Sequence, residues 1–305
     1  MMKSISILGV FVADLAFFGD QIPIVGETVI GKEYIIGPGG KGSNQAVAAA
    51  KAGIKTYFIS KIGDDQFGKM AIKIYDESGV DYSKVITSKD HATGAAGILI
   101  NKKGQNAISV VPGAGGVITN EDIDNSLDVI GNSSVFLTNL EIPIDVVSYS
   151  LKKSKESDVT TILNPAPATD FSTEDLSLVD YFTPNETEAA FFVKHSVESI
   201  DDARNAAKTL LGMGIKNVVI TLGEKGAYFS NGDEDFHVNA INLGSRVVDT
   251  TGAGDAFNAG FAVALTEGKN IKDSIIFANT TAGLSTTKIG TAKSMPLRSE
   301  IDELL

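Results

Sequence analysis

Short runs of β-branched and aromatic residues alternate with helix-patterned segments along most of the chain, and no other feature narrows the choice of fold as much. "SISILGV" reads as a strand, "SNQAVAAAKAG" as a helix capped by Ser43 and stopped by Gly53, "KTYFISKIG" as a strand and "DQFGKMAIKIYDESG" as a helix. Later, "SSVFLTNL", "DVTTILN", "VDYFTPN" and "KNVVITLG" have the short apolar character of buried strands, each next to a helical segment. Thr119 and Asp122 form a capping box at one of the helix starts. Parallel neighbours need long crossovers, and crossover helices cover the sheet from both sides. The expected class is therefore α/β, a mostly parallel central sheet with helices on both faces.

Two segments depart from this rhythm. Residues 11–36 and 95–111 alternate without an intervening helix, and "NKKGQN" between two runs of the second suits a hairpin turn. They are expected to form a small antiparallel sheet that projects as a lid or oligomer interface, with residues 1–10, 37–94 and 112–305 making the core. The other reading makes them extra strands of the main sheet.

Composition bounds function. A chain of 305 residues, 43% hydrophobic, can bury one large core. Its net charge of -12 argues against nucleic acid or an anionic membrane as a partner, since both are polyanions. Without cysteine there is no disulfide, thiolate nucleophile or cysteine-held zinc, and His91, His195 and His237 lack metal-ligand spacing. A cytoplasmic setting fits. The apolar start behind Lys3 is interrupted by Asp14 and is read as a buried strand rather than a secretory leader. No later run approaches the roughly 18 apolar residues of a membrane helix.

Two glycine turns carry the chemistry. In "GPGGKGSNQAVAAAKAG", Gly37, Gly39 and Gly42 satisfy G-x-G-x-x-G, with Asp64 and Asp65 further on, as in a dinucleotide fold. Such a turn follows the first strand directly, yet here some two dozen residues intervene after strand 4–10, and no G-x-x-x-x-G-K-[ST] occurs. In "VVDTTGAGDAFNAGFAVALTEG" a strand ends, glycines turn, and a helix begins at Gly254 and Asp255. Unpaired N–H groups at a helix start attract anions, and Gly252 and Gly254 allow close approach. A carboxylate there repels a phosphate unless it has a task. Asp255 either caps the helix or accepts a proton from an attacking hydroxyl.

"DTTGAGDAFNAGF" resembles the C-terminal signature of the ribokinase family of sugar kinases, a superfamily that also holds fructokinases and adenosine kinases. "GPGGKGSNQAVAAAKAG" is similar to its N-terminal signature, and "LNPAPA", "TPNETEA" and "VVITLGEKGA" follow in the family's order, so the resemblance spans nearly the whole chain. It implies a ribokinase-like, Rossmann-like fold and in-line transfer of the γ-phosphoryl group of ATP to a sugar hydroxyl, O5 of ribose in the family's type reaction. By the same resemblance Asp14, Gly40, Lys41, Asn44 and Glu141 hold the sugar, and Asp255 is the base. The N–H groups of Gly252, Ala253 and Gly254 form the anion hole. Asn185 and Glu188 lie near the phosphates and the water shell of Mg²⁺, while Thr221, Gly223, Gly254 and Asn279 surround the nucleotide. A monovalent cation, potassium, falls to Asp249, Thr251, Ser285, Gly290 and Ser294. A homodimer through the lid is also implied. One position departs from the family: Val12 stands where an asparagine usually precedes the aspartate by two residues, so a nucleoside or another furanose competes with ribose as acceptor. A catalytically silent sugar or nucleotide sensor on the same fold is the reading from a different class.

Overall fold

A computed structural model describes residues 3–305. The main sheet holds nine strands: β1 (Ser4–Leu8), β4 (Lys55–Gly63), β5 (Asp81–Ser88), β8 (Val135–Asn139), β9 (Thr160–Asn164), β10 (Tyr181–Phe182), β11 (Asn217–Thr221), β12 (Ala227–Ser230) and β13 (Asp235–Val238). Its order is β13-β12-β11-β10-β9-β8-β1-β4-β5, parallel from β11 to β5, with the last hairpin antiparallel at the edge. Successive strand residues face opposite sides, so Val135 and Leu137 join one buried cluster while Phe136 joins the other, and Val219 is separated in the same way from Val218 and Ile220. The helices Lys41–Lys51, Gln66–Ser78, Ala253–Glu267 and Ile271–Ser285 cover the first face, and Ile144–Glu156, Glu186–Val193 and Ile200–Gly212 the second. The expected two-faced α/β architecture is what the chain adopts. None of the described helices is long and apolar enough to cross a membrane.

The segments outside the strand–helix rhythm form a separate sheet, which decides against extra strands on the main one. It contains β2 (Val12–Phe18), β3 (Glu33–Gly39), β6 (Thr93–Ile100) and β7 (Asn106–Gly113) in the order β3-β2-β6-β7. Both hairpins are antiparallel, while the central β2–β6 pair is parallel. The cause lies in the main sheet: β1 and β5 run the same way there, and β2 and β6 follow them after only Gly9–Phe11 and residues 89–92, so both leave the same edge in one direction.

One helix start differs from expectation. The helix begins at Lys41, after Gly40 turns the chain at φ 87°, and Ser43 is not its cap but a fully buried residue accepting a hydrogen bond from Tyr75 Oη. Gly40 is the better terminator because a Cβ there, besides the strained φ, would stand 2.5 Å from the Val10 carbonyl. The helix also rests directly on the end of β1, where a Cβ on Gly42 would come within 2.7 Å of Gly9 Cα. Backbone cannot yield there as a flexible side chain does. Gly42→Ala is therefore expected to destabilise the protein by about 1–3 kcal/mol, the usual cost of overpacking, read from the midpoint of urea unfolding with an unchanged slope.

Candidate active site

In an open parallel sheet, ligands gather where strand order reverses, beyond the carboxyl ends of the strands. Here that point lies between β1, which continues to β4, and β8, which starts the run toward β11. The Lys41 helix enters over this gap. Its Lys41 N–H donates to Glu141 Oε2 at 2.9 Å, and Asn139 at the end of β8 accepts from the Glu141 N–H at 3.1 Å. Asp14 reaches in from β2 so closely that a Cβ on Gly39 would overlap its carboxylate. The glycines of this turn thus serve close packing of the turn on Val10 to Asp14, which brings Asp14, Gly40, Lys41 and Glu141 into one cluster.

Facing them is the start of the Ala253–Glu267 helix. Gly252 turns the chain at φ 80° and no side chain caps this helix, so Asp255 is not its cap. The Ala253 N–H is spent on the Thr250 carbonyl at 3.2 Å, which removes it from the expected anion hole. The N–H groups of Gly252, Gly254 and Asp255 have no protein acceptor among the described residues. Gly254 stays exposed while the Asp255 side chain turns inward, 7% exposed. Asn44 Nδ2 donates to Asp255 Oδ2 at 2.8 Å, and Gln45 Nε2 to Asp255 Oδ1 at 3.4 Å. One of the two Nδ2 hydrogens of Asn44 is thereby directed at the carboxylate, and its Oδ1 is buried without a partner among the described residues.

Four carboxylates surround one ammonium. Burial works against the charge of Lys41, but Asp255, Glu141, Glu188 and Asp14 outweigh it and hold its pKa above the ordinary lysine value. Burial raises the acids in turn. Asp14 is pushed up to about 6, with Asp255 adding to the effect and Lys41 opposing it. Glu141 is pushed up to about 7, by burial first, against the pull of Lys41. Burial also raises Asp255, countered by Lys41 and by the hydrogen bonds from Asn44 and Gln45. A buried carboxyl lifted toward neutral pH is suited to taking up a proton.

Asn185, Glu188, Thr221 and Gly223 lie at the same edge farther along. Asn185 and Glu188 form a reciprocal capping box at 2.8 and 2.9 Å, and Asn185 is bridged to Thr221 at the end of β11. From β11 to β1 there are four strand spacings, roughly 19 Å, room for a sugar and a nucleotide end to end. Gly223, at φ 54°, begins the turn after β11. Asn279 is buried with its Nδ2 donating to the Val238 and Asn239 carbonyls, a structural use of its donors. Asp249 accepts from the N–H groups of Thr251 and Gly290, each at 2.9 Å; burial pushes its pKa up, but these bonds hold it below the usual carboxylate range. The buried Ser285 and Ser294 hydroxyls donate to the Ala282 and Thr291 carbonyls three residues back. Among the described residues no cluster of three or more histidine or acidic side chains has metal-binding geometry. Gln45, Asn164, Thr183 and Asn258 are further buried polar residues of the site; only the polarity of Gln45 and Asn258 within apolar helices offers a signal in the sequence.

The model of the pfkB family carbohydrate kinases matches residues 2–298. A ribokinase of Haemophilus influenzae is 38% identical over 305 residues, covering 100% of this chain and 99% of that protein. A deoxyribokinase of Salmonella typhi is 33% identical, covering 99% and 98%. The solved ribokinase of Arabidopsis thaliana, complexed with ribose and ATP, superposes with a TM-score of 0.93 at 32% identity, covering 100% of this chain and 99% of that one. The chain belongs to the pfkB family of carbohydrate kinases.

Proposed function

We propose that this kinase transfers the γ-phosphoryl group of ATP to O5 of ribose, giving ribose 5-phosphate, and that Asp255 is the base. The observation that carries the reading is the position of Asp255 between the Asp14, Lys41 and Glu141 cluster and the unpaired N–H groups of its own helix start. A sugar offers hydroxyls that need acceptors and donors together, which Asp14, Glu141, Lys41 and the Gly40 turn provide. Asp255 takes the O5 proton as the O5–Pγ bond forms and the bond from Pγ to the β,γ-bridging oxygen breaks, releasing ADP. The N–H groups of Gly252, Gly254 and Asp255 offset charge on the transferred group. Asn185, Thr221, Gly223 and Asn279 lie toward the nucleotide, as does the exposed Gly254.

Two ions fit the residues present. Glu188 gives one oxygen to its cap and has no donor to the other among the described residues, which suits the hydration shell of Mg²⁺; that ion would neutralise the phosphates. The ionised Asp249 is tied to the N–H groups of Thr251 and Gly290, and together with Ser285 and Ser294 these residues would offer the oxygen ligands of a potassium site. Apolar side chains left exposed on the small sheet, including Phe17, Tyr34 and Ile36 on one face and Ile108 and Val110 on the other, support a dimer formed through it. The cysteine-free composition supports a cytoplasmic location.

Val12 favours a second acceptor, 2-deoxyribose. It is buried on the same face of β2 as Asp14, two residues away, and an apolar side chain there cannot pair a hydroxyl. A relative of similar identity bears the name deoxyribokinase.

ADP release measured with ribose, 2-deoxyribose, hexoses and nucleosides tests the reading; turnover with the two pentoses is expected, and none with any acceptor overturns it. Asp255→Asn should lose roughly a hundredfold or more in kcat with sugar affinity largely kept. Val12→Asn should move kcat/KM toward ribose relative to 2-deoxyribose, by about tenfold if one hydroxyl hydrogen bond is gained. The site should also weaken the empty protein. Glu141 has its folded pKa raised to about 7, so the native state holds more protons than the unfolded one between pH 4.5 and 7, and stability falls as pH rises through that window. Glu141→Gln should therefore stabilise the protein at pH 8, on the order of 1–3 kcal/mol, with the advantage gone below pH 4.5, while sugar binding is lost. Thermal unfolding at the two pH values reads this directly.

A further inference from the structure

We infer that Gln45 is a positioning residue for Asp255: its side-chain amide, oriented by Asn164, keeps the carboxylate ready to accept and turns its open lone pairs toward the incoming hydroxyl. This rests on Asp255 being the base. Gln45 is fully buried in a helix whose neighbouring buried residues are mostly alanine and valine, where an amide is costly unless paired. Its Nε2 donates to Asn164 Oδ1 at 3.1 Å and to Asp255 Oδ1 at 3.4 Å. The opposite amide orientation would set its oxygen against two acceptors, so these neighbours fix which end faces the base. Asn164 is itself oriented, since its Nδ2 donates to the Thr183 carbonyl at 3.4 Å. The Thr183 hydroxyl donates to Asn258 Oδ1, and Asn258 Nδ2 donates to the Gly254 carbonyl at 2.9 Å. The string therefore returns to the helix turn that carries Asp255.

The polarity of this string is one-directional at the base. Asn44 donates a hydrogen bond to Oδ2 and Gln45 donates one to Oδ1, and an amide nitrogen cannot accept one in return. A carboxylic acid proton pointing at either amide would be repelled. Only the remaining lone pairs can receive the hydroxyl proton. The charged groups around Asp255 are Lys41 from the Lys41 helix, which favours its ionised form, and Asp14 from β2, Glu141 after β8 and Glu188 from the Glu186–Val193 helix, which oppose it. Burial opposes ionisation as well, so the two amides help to decide at which pH the base is available. Gln45 Oε1 has no partner among the described residues, a cost that a purely structural residue would avoid.

The test is the pH dependence of kcat, at saturating sugar and ATP, for Gln45→Met, which keeps volume without donors, and for the isosteric Gln45→Glu. For Gln45→Met the acid limb should move up by about one pH unit, so that activity at pH 6 falls about tenfold while at pH 9 it returns to within a few-fold of the parent, with the sugar KM little changed. For Gln45→Glu, which adds a fifth carboxyl, the limb should move farther. Profiles that match the parent after scaling, or losses confined to KM, overturn the assignment. Loss of calorimetric ATP binding in both variants also overturns it, because the amide would then serve folding. Near-parental turnover of Asp255→Asn would instead sink the base itself, whereas a crippled Asp255→Asn beside unshifted Gln45 profiles would sink only the role given to Gln45.

Discussion

The structure turns on one buried carboxylate held between two helix starts. Asp255 sits in the first turn of the Ala253–Glu267 helix, and the amides that grip it come from Asn44 and Gln45 in the first turns of the Lys41–Lys51 helix, more than 200 residues earlier. The glycine turns exist to allow this meeting. Gly40 and Gly42 let one helix lie against the end of β1, and Gly252 at positive φ lets the other begin without a side-chain cap. Remove the close approach, and the acid loses both the partners that favour its charge and the ammonium of Lys41.

This arrangement sets the protein's stability against its chemistry. Burial of Asp14, Glu141, Glu188 and Asp255 around a single lysine raises every one of those acids, so the empty site favours proton uptake. A ligand that supplies hydroxyl donors relieves the crowding by pairing with the oxygens. Such concentrated strain in charge is common where binding and catalysis are performed rather than where a core is built.

How much of this could be read from the chain alone follows from the range of the forces involved. The main strands were legible because strands buried on both faces carry short apolar, largely β-branched centres, Val135–Leu137 in β8, Ile162–Leu163 in β9 and Val218–Ile220 in β11. Strand β5 and the β12–β13 hairpin were not: β5 is half-buried and polar at the sheet edge, and the hairpin's strands are four residues each. The start of the Lys41 helix was misread at Ser43, because a serine before an apolar run has the same local signature whether it caps a helix or lies inside one. Tertiary contact with Tyr75 decided between them. The glycine turns, Lys41 and Asp255 were visible as motifs, whereas the grip of Gln45 on Asp255 and the loss of the Ala253 N–H to Thr250 depend on geometry that no spacing encodes. The parallel centre of the small sheet was likewise out of reach, since it follows from the direction of β1 and β5 in a different sheet.

The short link between β1 and β2 carries a last implication. Asp14 belongs to the small sheet, while Glu141, Lys41 and Asp255 belong to the main body. The acceptor set is thus divided between two sheets, and any shift of the small one against the main body would carry one carboxylate out of the cluster with it.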